Sequence, residues 1–290
     1  MTSSIASLDA YKNSARKMTG PHGDIAWWMR GSGRPLLLIH GFPTCSYDWF
    51  RIWPDLCDAG FNPIALDMLG FGLSDKPPYQ RYDLMQQADL QVQLLGELEI
   101  EACDIIAHDY GVSIAQELLA RQKRGRLPFR IGSVAFLNGG LFPEQHRAKL
   151  IQRLLNSPLG GVISGLLTRE RFGASFASVF GPETQPDAQE LDDFWALLEY
   201  KGGHRIGHRL IRYIEDRKRH KSRWVGALSE NGARQLLING ALDPVSGKHL
   251  ADHYEAVIPD ARIVRLETIG HYPQWEAPDA VAQAVLEFLG

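Results

Sequence analysis

Cysteine is scarce in this chain of 290 residues, which contains only three. Cys45, Cys57 and Cys103 are an odd number, and all three stand inside apolar segments rather than at regular spacings near turns. Such an arrangement argues against a disulfide framework. We interpret the cysteines as buried thiols of a protein from a reducing compartment.

Long apolar runs are also missing. No stretch approaches the roughly 18 consecutive apolar residues that a transmembrane helix needs. The N-terminal segment MTSSIASLDAYKNSARKMTG lacks the uninterrupted apolar core of a signal peptide. We therefore expect a cytoplasmic protein that does not span a membrane.

The chain has no marked excess of charge of either sign, since its formal net charge is −3 and its pI is about 6.4. No global basic field therefore predicts nucleic acid or an anionic membrane as a partner. We expect a small-molecule substrate and water as the partners, with no metal and no cofactor. Whether the chain forms a homodimer is left open.

Short apolar runs alternate with stretches of helical period, which is typical of a parallel sheet covered by helices on both faces. The alternation predicts an α/β fold with a doubly wound, mostly parallel sheet. An earlier strand at 24–30, which ends in Gly31-Ser32-Gly33, is expected in an antiparallel edge. The other predicted strands lie at 36–39, 63–66, 103–107, 131–137, 235–238 and 262–266, and the predicted helices at 82–99, 111–124, 247–257 and 278–289.

One interval, residues 141–226, is far longer than an ordinary crossover between two strands. We interpret it as a helical cap over the carboxyl ends of the strands, where ligands bind in open α/β sheets. The core of the α/β fold would then consist of residues 1–140 and 227–290. Within the cap, residues 204–223 hold eight Lys or Arg against two acids, which we interpret as a solvated helix face.

The sharpest motif is Ala107-His108-Asp109-Tyr110-Gly111, which follows an apolar run and precedes a helical pattern. Its spacing is that of the G-x-S-x-G nucleophile elbow with Asp in place of Ser. Small residues two positions before and after the apex let the backbone turn sharply and hold the apex side chain above the sheet. The motif therefore predicts Asp109 as the nucleophile.

A second motif, His40-Gly41-Phe42-Pro43, follows the predicted strand at 36–39. A loop in this position can direct a backbone N–H toward the elbow. We expect the oxyanion donors to be the N–H groups of Phe42 and of Tyr110, the residue after the nucleophile.

Two further residues complete a triad. Asp243 follows the strand at 235–238, and His271 follows the strand at 262–266. Their order after Asp109 is nucleophile, acid, histidine, as expected of an α/β-hydrolase fold. The other position for the acid, after the strand at 131–137, holds Asn138, which cannot stabilise an imidazolium by charge. We therefore predict Asp243 as the acid.

With these residues in place, the chain resembles the α/β-hydrolase superfamily over about residues 24–290, and within it the aspartate-nucleophile branch of epoxide hydrolases and haloalkane dehalogenases. The segments HGFPTCSYDWF, ALDMLGFGLSDKP, HDYG, LNGGLFPE, RWVGAL, LDPV and HYPQWE are most similar to the mesoderm-specific transcript family. The resemblance implies the fold and the triad, and leaves the substrate open.

An aspartate nucleophile suits attack at a saturated carbon, because a carboxylate that attacked an acyl carbon would give a reactive anhydride. Displacement at an epoxide or carbon–halogen centre yields an alkyl ester on Asp109. His271, oriented by Asp243, would then activate water as a general base. Since His271 must be neutral for this, we expect activity to fall as it protonates on the acid side.

The leaving group distinguishes the two chemistries: an epoxide oxygen needs a proton donor, and a halide needs N–H donors. We predict an epoxide hydrolase for small or medium apolar epoxides, with Tyr213 as the first choice of proton donor and Tyr200 as the second. A haloalkane dehalogenase is the alternative, with Trp195 or Trp224 as halide donor. An esterase or lactonase, and a non-catalytic member of the fold, stay open.

Overall fold

The computed structural model describes residues 7–290; residues 1–6, the start of the N-terminal segment considered above, lie outside the described residues. Within this range the chain forms one eight-stranded sheet with the order β1-β2-β4-β3-β5-β6-β7-β8. The strands are β1 Arg16–Gly20, β2 Gly23–Met29, β3 Arg34–Ile39, β4 Phe61–Leu66, β5 Ala102–Asp109, β6 Arg130–Gly139, β7 Arg234–Gly240 and β8 Ile263–Leu266.

The strands from β3 to β8 pair in parallel, whereas β2 pairs antiparallel with both β1 and β4. All seven strands predicted from the sequence are present, and the predicted α/β fold class is confirmed. The edge strand β1 was missed because its five residues, RKMTG, are mostly exposed and carry no apolar run. β2 is therefore the second strand from the edge rather than the edge itself.

Helices cover the sheet. The four helices predicted from their period correspond to α3, α4, α12 and α14. Asp83 caps the N-terminus of α3, because its side chain accepts from the N–H of Gln86. The helices are α1 Leu8–Ser14, α2 Trp53–Asp58, α3 Leu84–Glu97, α4 Tyr110–Lys123, α5 Leu150–Leu155, α6 Gly160–Gly165, α7 Arg169–Ala177, α8 Ala188–Glu199, α9 Gly207–Leu210, α10 Tyr213–Arg219, α11 Lys221–Val225, α12 Lys248–Val257, α13 Pro273–Glu276 and α14 Pro278–Leu289. Single 3₁₀ turns lie at Ser46–Trp49, Pro143–Gln145, Tyr200–Ile206 and Gly226–Leu228.

The connection between β6 and β7, residues 140–233, consists of α5 to α11 and three of the 3₁₀ turns. We call this segment the helical insertion. Its return to the sheet is held by Glu117 of α4, whose carboxylate accepts from Arg223 at 2.6 Å and from the indole N–H of Trp224 at 2.8 Å. Arg121 binds the same carboxylate at 2.8 Å. These bonds fix α11 to α4, the helix that directly follows Asp109. The division into core and cap domains stays a prediction.

The three cysteines are free thiols, as expected, but only Cys45 and Cys103 are buried. Cys57 is partly exposed at the end of α2, where its thiol lies 3.0 Å from the carbonyl oxygen of Arg30. The interpretation of Cys57 as a buried thiol was therefore wrong, because α2 packs on the sheet through Trp53 and Leu56 instead. Within residues 7–290, none of the helices combines the length and the apolar composition needed to span a membrane.

Candidate active site

The winding direction of the sheet reverses between β3 and β5, which flank each other, with β4 on the far side of β3. Such a reversal opens a crevice at the carboxyl ends of the strands. The loop His40-Gly41-Phe42 follows β3, and Asp109 is the last residue of β5. The topology thus brings the two predicted motifs to one point.

Asp109 forms the sharp turn that the motif predicted. Its φ of 41° and ψ of −103° are a strained conformation for a residue with a side chain. Gly111 permits the turn, since a Cβ at this position would lie 2.3 Å from the carbonyl oxygen of Ile39. The Asp109 side chain makes no capping bond to α4. The carboxylate of Asp109 therefore does not act as a helix cap and is free to interact with other groups.

The carboxylate of Asp109 meets one of the two predicted donors. The N–H of Phe42 donates to Asp109 Oδ2 at 3.1 Å. Tyr110 is the first residue of α4, so its N–H belongs to the first turn, where the helix itself supplies no acceptor. The role of both N–H groups as oxyanion donors stays a prediction.

His271 and Asp243 form a direct pair, with 2.7 Å between His271 Nδ1 and Asp243 Oδ2. The same carboxylate accepts from Ser246 Oγ at 2.6 Å and from the N–H of Val245 at 2.7 Å. Burial alone would raise the pKa of Asp243, but His271 and these donors outweigh it and lower the pKa well below its ordinary value. Asp243 is therefore a fixed negative charge behind the imidazole.

Asn138 also takes part in this arrangement. Its amide nitrogen donates to Asp243 Oδ2 at 2.9 Å, and its amide oxygen accepts from the N–H of Gly240 at 2.6 Å. The sequence identified this position only as one that could not be the acid. In the structure it bonds the end of β6 to the end of β7 and orients the carboxylate that faces His271.

The pKa of His271 is raised to about 9. Burial lowers it, but the charge and hydrogen bond of Asp243 and the charge of Asp109 raise it by more. Near neutral pH the resting protein therefore holds an imidazolium opposite the Asp109 carboxylate. The expected fall in activity as His271 protonates stays a prediction, and the charges of Asp243 and Asp109 raise the pH at which that protonation occurs in the resting protein.

We expect the pKa of His271 to fall clearly below about 9 in Asp109→Asn, because the substitution removes one of the negative charges that stabilise the imidazolium. NMR titration of the imidazole measures the shift, and mass spectrometry verifies that the amide is retained. Asp104→Asn, at the opposite end of β5, is the matched control. An unchanged His271 pKa in Asp109→Asn would show that the two groups are not coupled.

A cavity of about 350 Å³ lies in front of Asp109 and His271. Its walls are mostly apolar and come largely from the helical insertion. Phe42 and Tyr272 line it beside the two catalytic candidates. Contributors from the insertion include Leu155, Ile163, Leu167, Phe172, Leu198 and Leu210. The cavity can take a small apolar molecule with its reactive carbon at Asp109.

Tyr213 lies close to the nucleophile. It is fully buried, and its ring centroid is 5.8 Å from that of Phe42 and 5.1 Å from that of Tyr110. Its hydroxyl forms no well-aligned hydrogen bond among residues 7–290, although Arg217 and Gln152 lie near it. Burial, followed by the charge of Asp109, raises the pKa of Tyr213, so the phenol keeps its proton. It is not part of the described cavity lining, but it adjoins Phe42, which is.

The other three candidate residues of the insertion do not reach the cavity lining within the part of the chain that the structure describes. Tyr200 is 40% exposed, and its ring lies under the ammonium groups of Lys76 and Lys201. Trp195 packs against Phe172, and the indole N–H of Trp224 binds Glu117. The predictions of substrate contacts for Tyr200, Trp195 and Trp224 were therefore wrong, because surface and structural contacts occupy these side chains.

Arg217 was missed by the sequence analysis. Its guanidinium is buried, and Nη2 lies 2.8 Å from the backbone oxygen of Asp109 and 3.6 Å from Oδ1 of the same residue. Nε donates to Ser113 Oγ at 2.7 Å, and the group stacks over the Tyr213 ring at 4.4 Å. Burial alone would raise the pKa of Asp109, but Arg217 first and His271 second lower it. The run 204–223 is thus not a solvated face throughout.

His146 is a second group that the sequence did not single out. Both of its ring nitrogens are buried and have no hydrogen-bond partner within residues 7–290. Burial and the nearby charge of Arg217 lower its pKa to about 4, against the opposing effect of Asp109 and Asp243. The imidazole is therefore neutral near physiological pH and keeps one N–H donor. Across the described range, no three His, Cys, Asp or Glu residues are grouped as metal ligands.

The triad order, the elbow and the sheet topology define an α/β-fold hydrolase. Residues 34–278 match the model of the α/β hydrolase fold family, and the chain belongs to that family. Among its relatives, the chain is 40% identical to the mesoderm-specific transcript protein of Mus musculus over 268 residues, which cover 89% of this chain and 79% of that protein. It is 39% identical to LipZ of Mycobacterium tuberculosis over 259 residues, with 89% of each chain covered.

Solved structures share the fold at low sequence identity. Epoxide hydrolase CorEH superimposes with a TM-score of 0.76 at 18% identity, over 95% of this chain and 98% of that one. Haloalkane dehalogenase DbeA from Bradyrhizobium elkani gives a TM-score of 0.79 at 23% identity, over 95% and 97% of the two chains. At these identities the likeness shows the fold alone.

Proposed function

We propose that this hydrolase opens small or medium apolar epoxides to diols through an alkyl ester on Asp109. The observation that carries the proposal is the carboxylate at the elbow, which faces an apolar cavity and accepts the N–H of Phe42 at 3.1 Å. A carboxylate in this position favours attack at saturated carbon, and the cavity lining favours an apolar substrate.

In the first step, an oxygen of Asp109 attacks an epoxide carbon, and the ring C–O bond breaks. The oxygen that is released takes a proton, so that an ester and a neutral hydroxyl result. Tyr213 is the proposed donor, because its hydroxyl is buried and protonated and forms no well-aligned hydrogen bond among the described residues. His146, whose imidazole interacts electrostatically with Asp109, is a second buried donor without a partner among the described residues.

In the second step, water attacks the carbonyl carbon of the Asp109 ester while His271 takes a proton from it. We assign to the N–H groups of Phe42 and Tyr110 the stabilisation of the oxyanion that forms on the aspartate itself. Collapse of this intermediate breaks the ester bond, and the alkoxide that leaves takes the proton held by His271 to give the diol. The proton of the resulting Asp109 carboxyl returns to the Tyr213 oxygen, which restores the carboxylate and the phenol. The sum is epoxide plus water to diol, with no other reactant.

Haloalkane dehalogenation is the alternative, and it shares the ester intermediate. A halide would need N–H donors in front of Asp109, but the indole of Trp224 is bound to Glu117 and Trp195 lies outside the described cavity lining. An esterase or lactonase lacks support because the elbow holds no serine. The hydroxyl of Tyr213 favours the epoxide, because it can give a proton to the oxygen that is released.

The function is tested by trapping the intermediate in His271→Ala. Without the base, the ester on Asp109 should persist, and intact-mass and peptide analysis after incubation with epoxides and haloalkanes identifies the adduct and its class. His253→Ala, on the surface helix α12, is the matched control and should accumulate no adduct. An adduct from haloalkanes but not from epoxides would move dehalogenation to first place, and no adduct from either panel would reject the mechanism.

We expect Tyr213→Phe to lower kcat for epoxides by about a hundredfold or more, as is typical for a general acid. The substitution removes a hydroxyl that forms no well-aligned hydrogen bond among the described residues, and it leaves the ring packing with Phe42 and Tyr110 nearly unchanged. Steady-state kinetics measure the loss. Tyr200→Phe serves as the control and should retain normal rates. Equal activity of Tyr213→Phe and the wild type would exclude Tyr213 as the donor.

A further inference from the structure

Helices α5 and α6 are apolar on two sides, which is unusual for helices at the surface of a protein in water. Their inner side chains line the active-site cavity: Ile151, Leu155 and Ile163. Their outer side, continued by the residues beside the two helices, carries large side chains that are 40–72% exposed: Leu150, Leu154, Leu159, Val162 and Leu166. We call these five residues the apolar face. Single exposed apolar residues need no explanation, but a contiguous group marks an interaction site.

The apolar face adjoins the entrance of the active-site cavity. Leu166 lines the cavity and is also 59% exposed, so the wall of the cavity and the outer surface meet at this residue. Arg171, which is exposed, lines the same cavity. A molecule seated on the apolar face would therefore stand next to the route into the cavity.

Basic residues surround the apolar face. Residues 146–171 contain five Lys or Arg and one acid, against a net charge of −3 for the whole chain. Arg147 and Arg153 are exposed, and within residues 7–290 neither has a carboxylate within 4 Å. The local charge is thus opposite to that of the molecule as a whole, and it is not neutralised at these two positions.

The basic surface continues beyond α5. A groove of about 600 Å³ begins at Asn156, where α5 ends, and is lined by four arginines and two acids. Arg81 and Arg219 share Asp216, at 3.2 and 3.7 Å. The other two arginines, Arg209 and Arg212, have no carboxylate within 4 Å in the described part of the chain. The groove can therefore accept further negative charge.

We infer that the apolar face is a docking surface for an anionic phospholipid bilayer, on which the cavity entrance opens toward the lipid. Protein segments that lie in the membrane interface combine exposed apolar side chains with basic residues around them. Phosphate groups complement the arginines, and each basic residue near an anionic surface adds about a fivefold gain in binding. The bilayer also supplies a phase in which apolar molecules collect.

A second copy of the chain fits this surface less well. Symmetric pairing would bring the same patch of both subunits together. Arg147 and Arg153 of one copy would then face the same two arginines of the other, and neither has a carboxylate within 4 Å in the described part of the chain. The anionic bilayer offers the apolar contact without that repulsion. Docking on the bilayer does not depend on the proposed function. The supply of an apolar epoxide from the bilayer to the cavity does rest on the proposed function.

The experiment is flotation of the full chain with vesicles of phosphatidylcholine, with and without phosphatidylserine. We expect binding to the anionic vesicles that weakens with salt. The double variant Leu159→Gln/Val162→Gln should bind at least about tenfold more weakly, because it removes two apolar side chains from the contact. Arg147→Gln/Arg153→Gln should lower binding to anionic vesicles by a similar factor. Val257→Gln, an exposed valine on α12, is the matched control and should bind normally.

Absence of binding to phosphatidylserine vesicles, or equal binding of the wild type and Leu159→Gln/Val162→Gln, would overturn the inference. So would a dimer in sedimentation that this double variant abolishes, because the face would then be covered by a second copy. Turnover of a short, water-soluble substrate should be unchanged in all three variants, since none of the substituted residues lines the described cavity. Loss of vesicle binding with intact turnover separates docking from catalysis.

Discussion

Replacing Asp109 by alanine is expected to lower kcat/KM by several orders of magnitude for any true substrate, as for other members of a catalytic unit. The side chain forms no capping bond to α4, so its loss removes the nucleophile without removing a helix cap. The strained φ of 41° remains, and the elbow is held by Gly111 against β3. Steady-state kinetics and thermal unfolding of the same preparation measure activity and fold.

Asp104→Asn is the matched control for Asp109→Ala, because it alters a carboxylate at the other end of the same strand. Asp104 pairs with Arg34 at 3.0 Å and lies far along β5 from the elbow. It should keep near-normal turnover even if its stability changes. Substantial hydrolysis by Asp109→Ala with an intact fold would reject a covalent mechanism at this residue.

Replacing Arg217 by methionine is expected to lower the free energy of unfolding by about 3–5 kcal/mol, the usual cost of removing one partner of a buried charge pair. The Asp109 carboxylate would lose the guanidinium that lies 3.6 Å away while staying buried. Its pKa, which is now lowered, should rise. A lowered carboxyl pKa contributes stability above the unfolded pKa that is lost as pH falls, so the stability deficit of the variant should be largest near neutral pH and should shrink as Asp109 protonates. The activity of the variant should fail at a higher pH than that of the wild type, because its nucleophile protonates there.

Two variants of the same helix act as controls for Arg217→Met. Arg219→Met removes an exposed arginine that lies 3.7 Å from Asp216, and it should cost about 1 kcal/mol or less. Arg217→Lys keeps a positive charge near Asp109. It loses the planar guanidinium, which donates to Ser113 Oγ and to the backbone oxygen of Asp109 at the same time. Urea unfolding and pH profiles of kcat/KM distinguish the cases. If Arg217→Met matched Arg219→Met in both measurements, Arg217 would have no role at the nucleophile.

The sequence predicted those parts of the molecule that depend on local patterns. Apolar runs located the strands, and the residues directly after them, Asp109, Asp243 and His271, met at the carboxyl edge because parallel strands end together there. The elbow could be predicted in detail because its turn requires glycine at one position, Gly111, where β3 approaches most closely.

Contacts across the helical insertion could not be predicted in this way. Arg217 stands in a run of basic residues, and no local pattern distinguishes the one that turns inward. Trp224 was predicted as a possible halide donor, but its indole N–H binds Glu117, which lies more than a hundred residues earlier in the chain. Tyr200 and Tyr213 look alike in the sequence, yet one is exposed and the other buried. Only packing decides these cases.

The charge coupling between Asp109 and His271 imposes an order on the proposed reaction without any moving part. While the nucleophile is free, its negative charge helps to keep His271 protonated, with a pKa of about 9, and the imidazolium cannot deprotonate water. Once Asp109 is esterified, that charge is gone and the imidazole releases its proton more readily. Asp243 still raises the pKa of His271 in the ester, but the contribution of Asp109 is gone, so formation of the intermediate favours the neutral imidazole that its own hydrolysis requires.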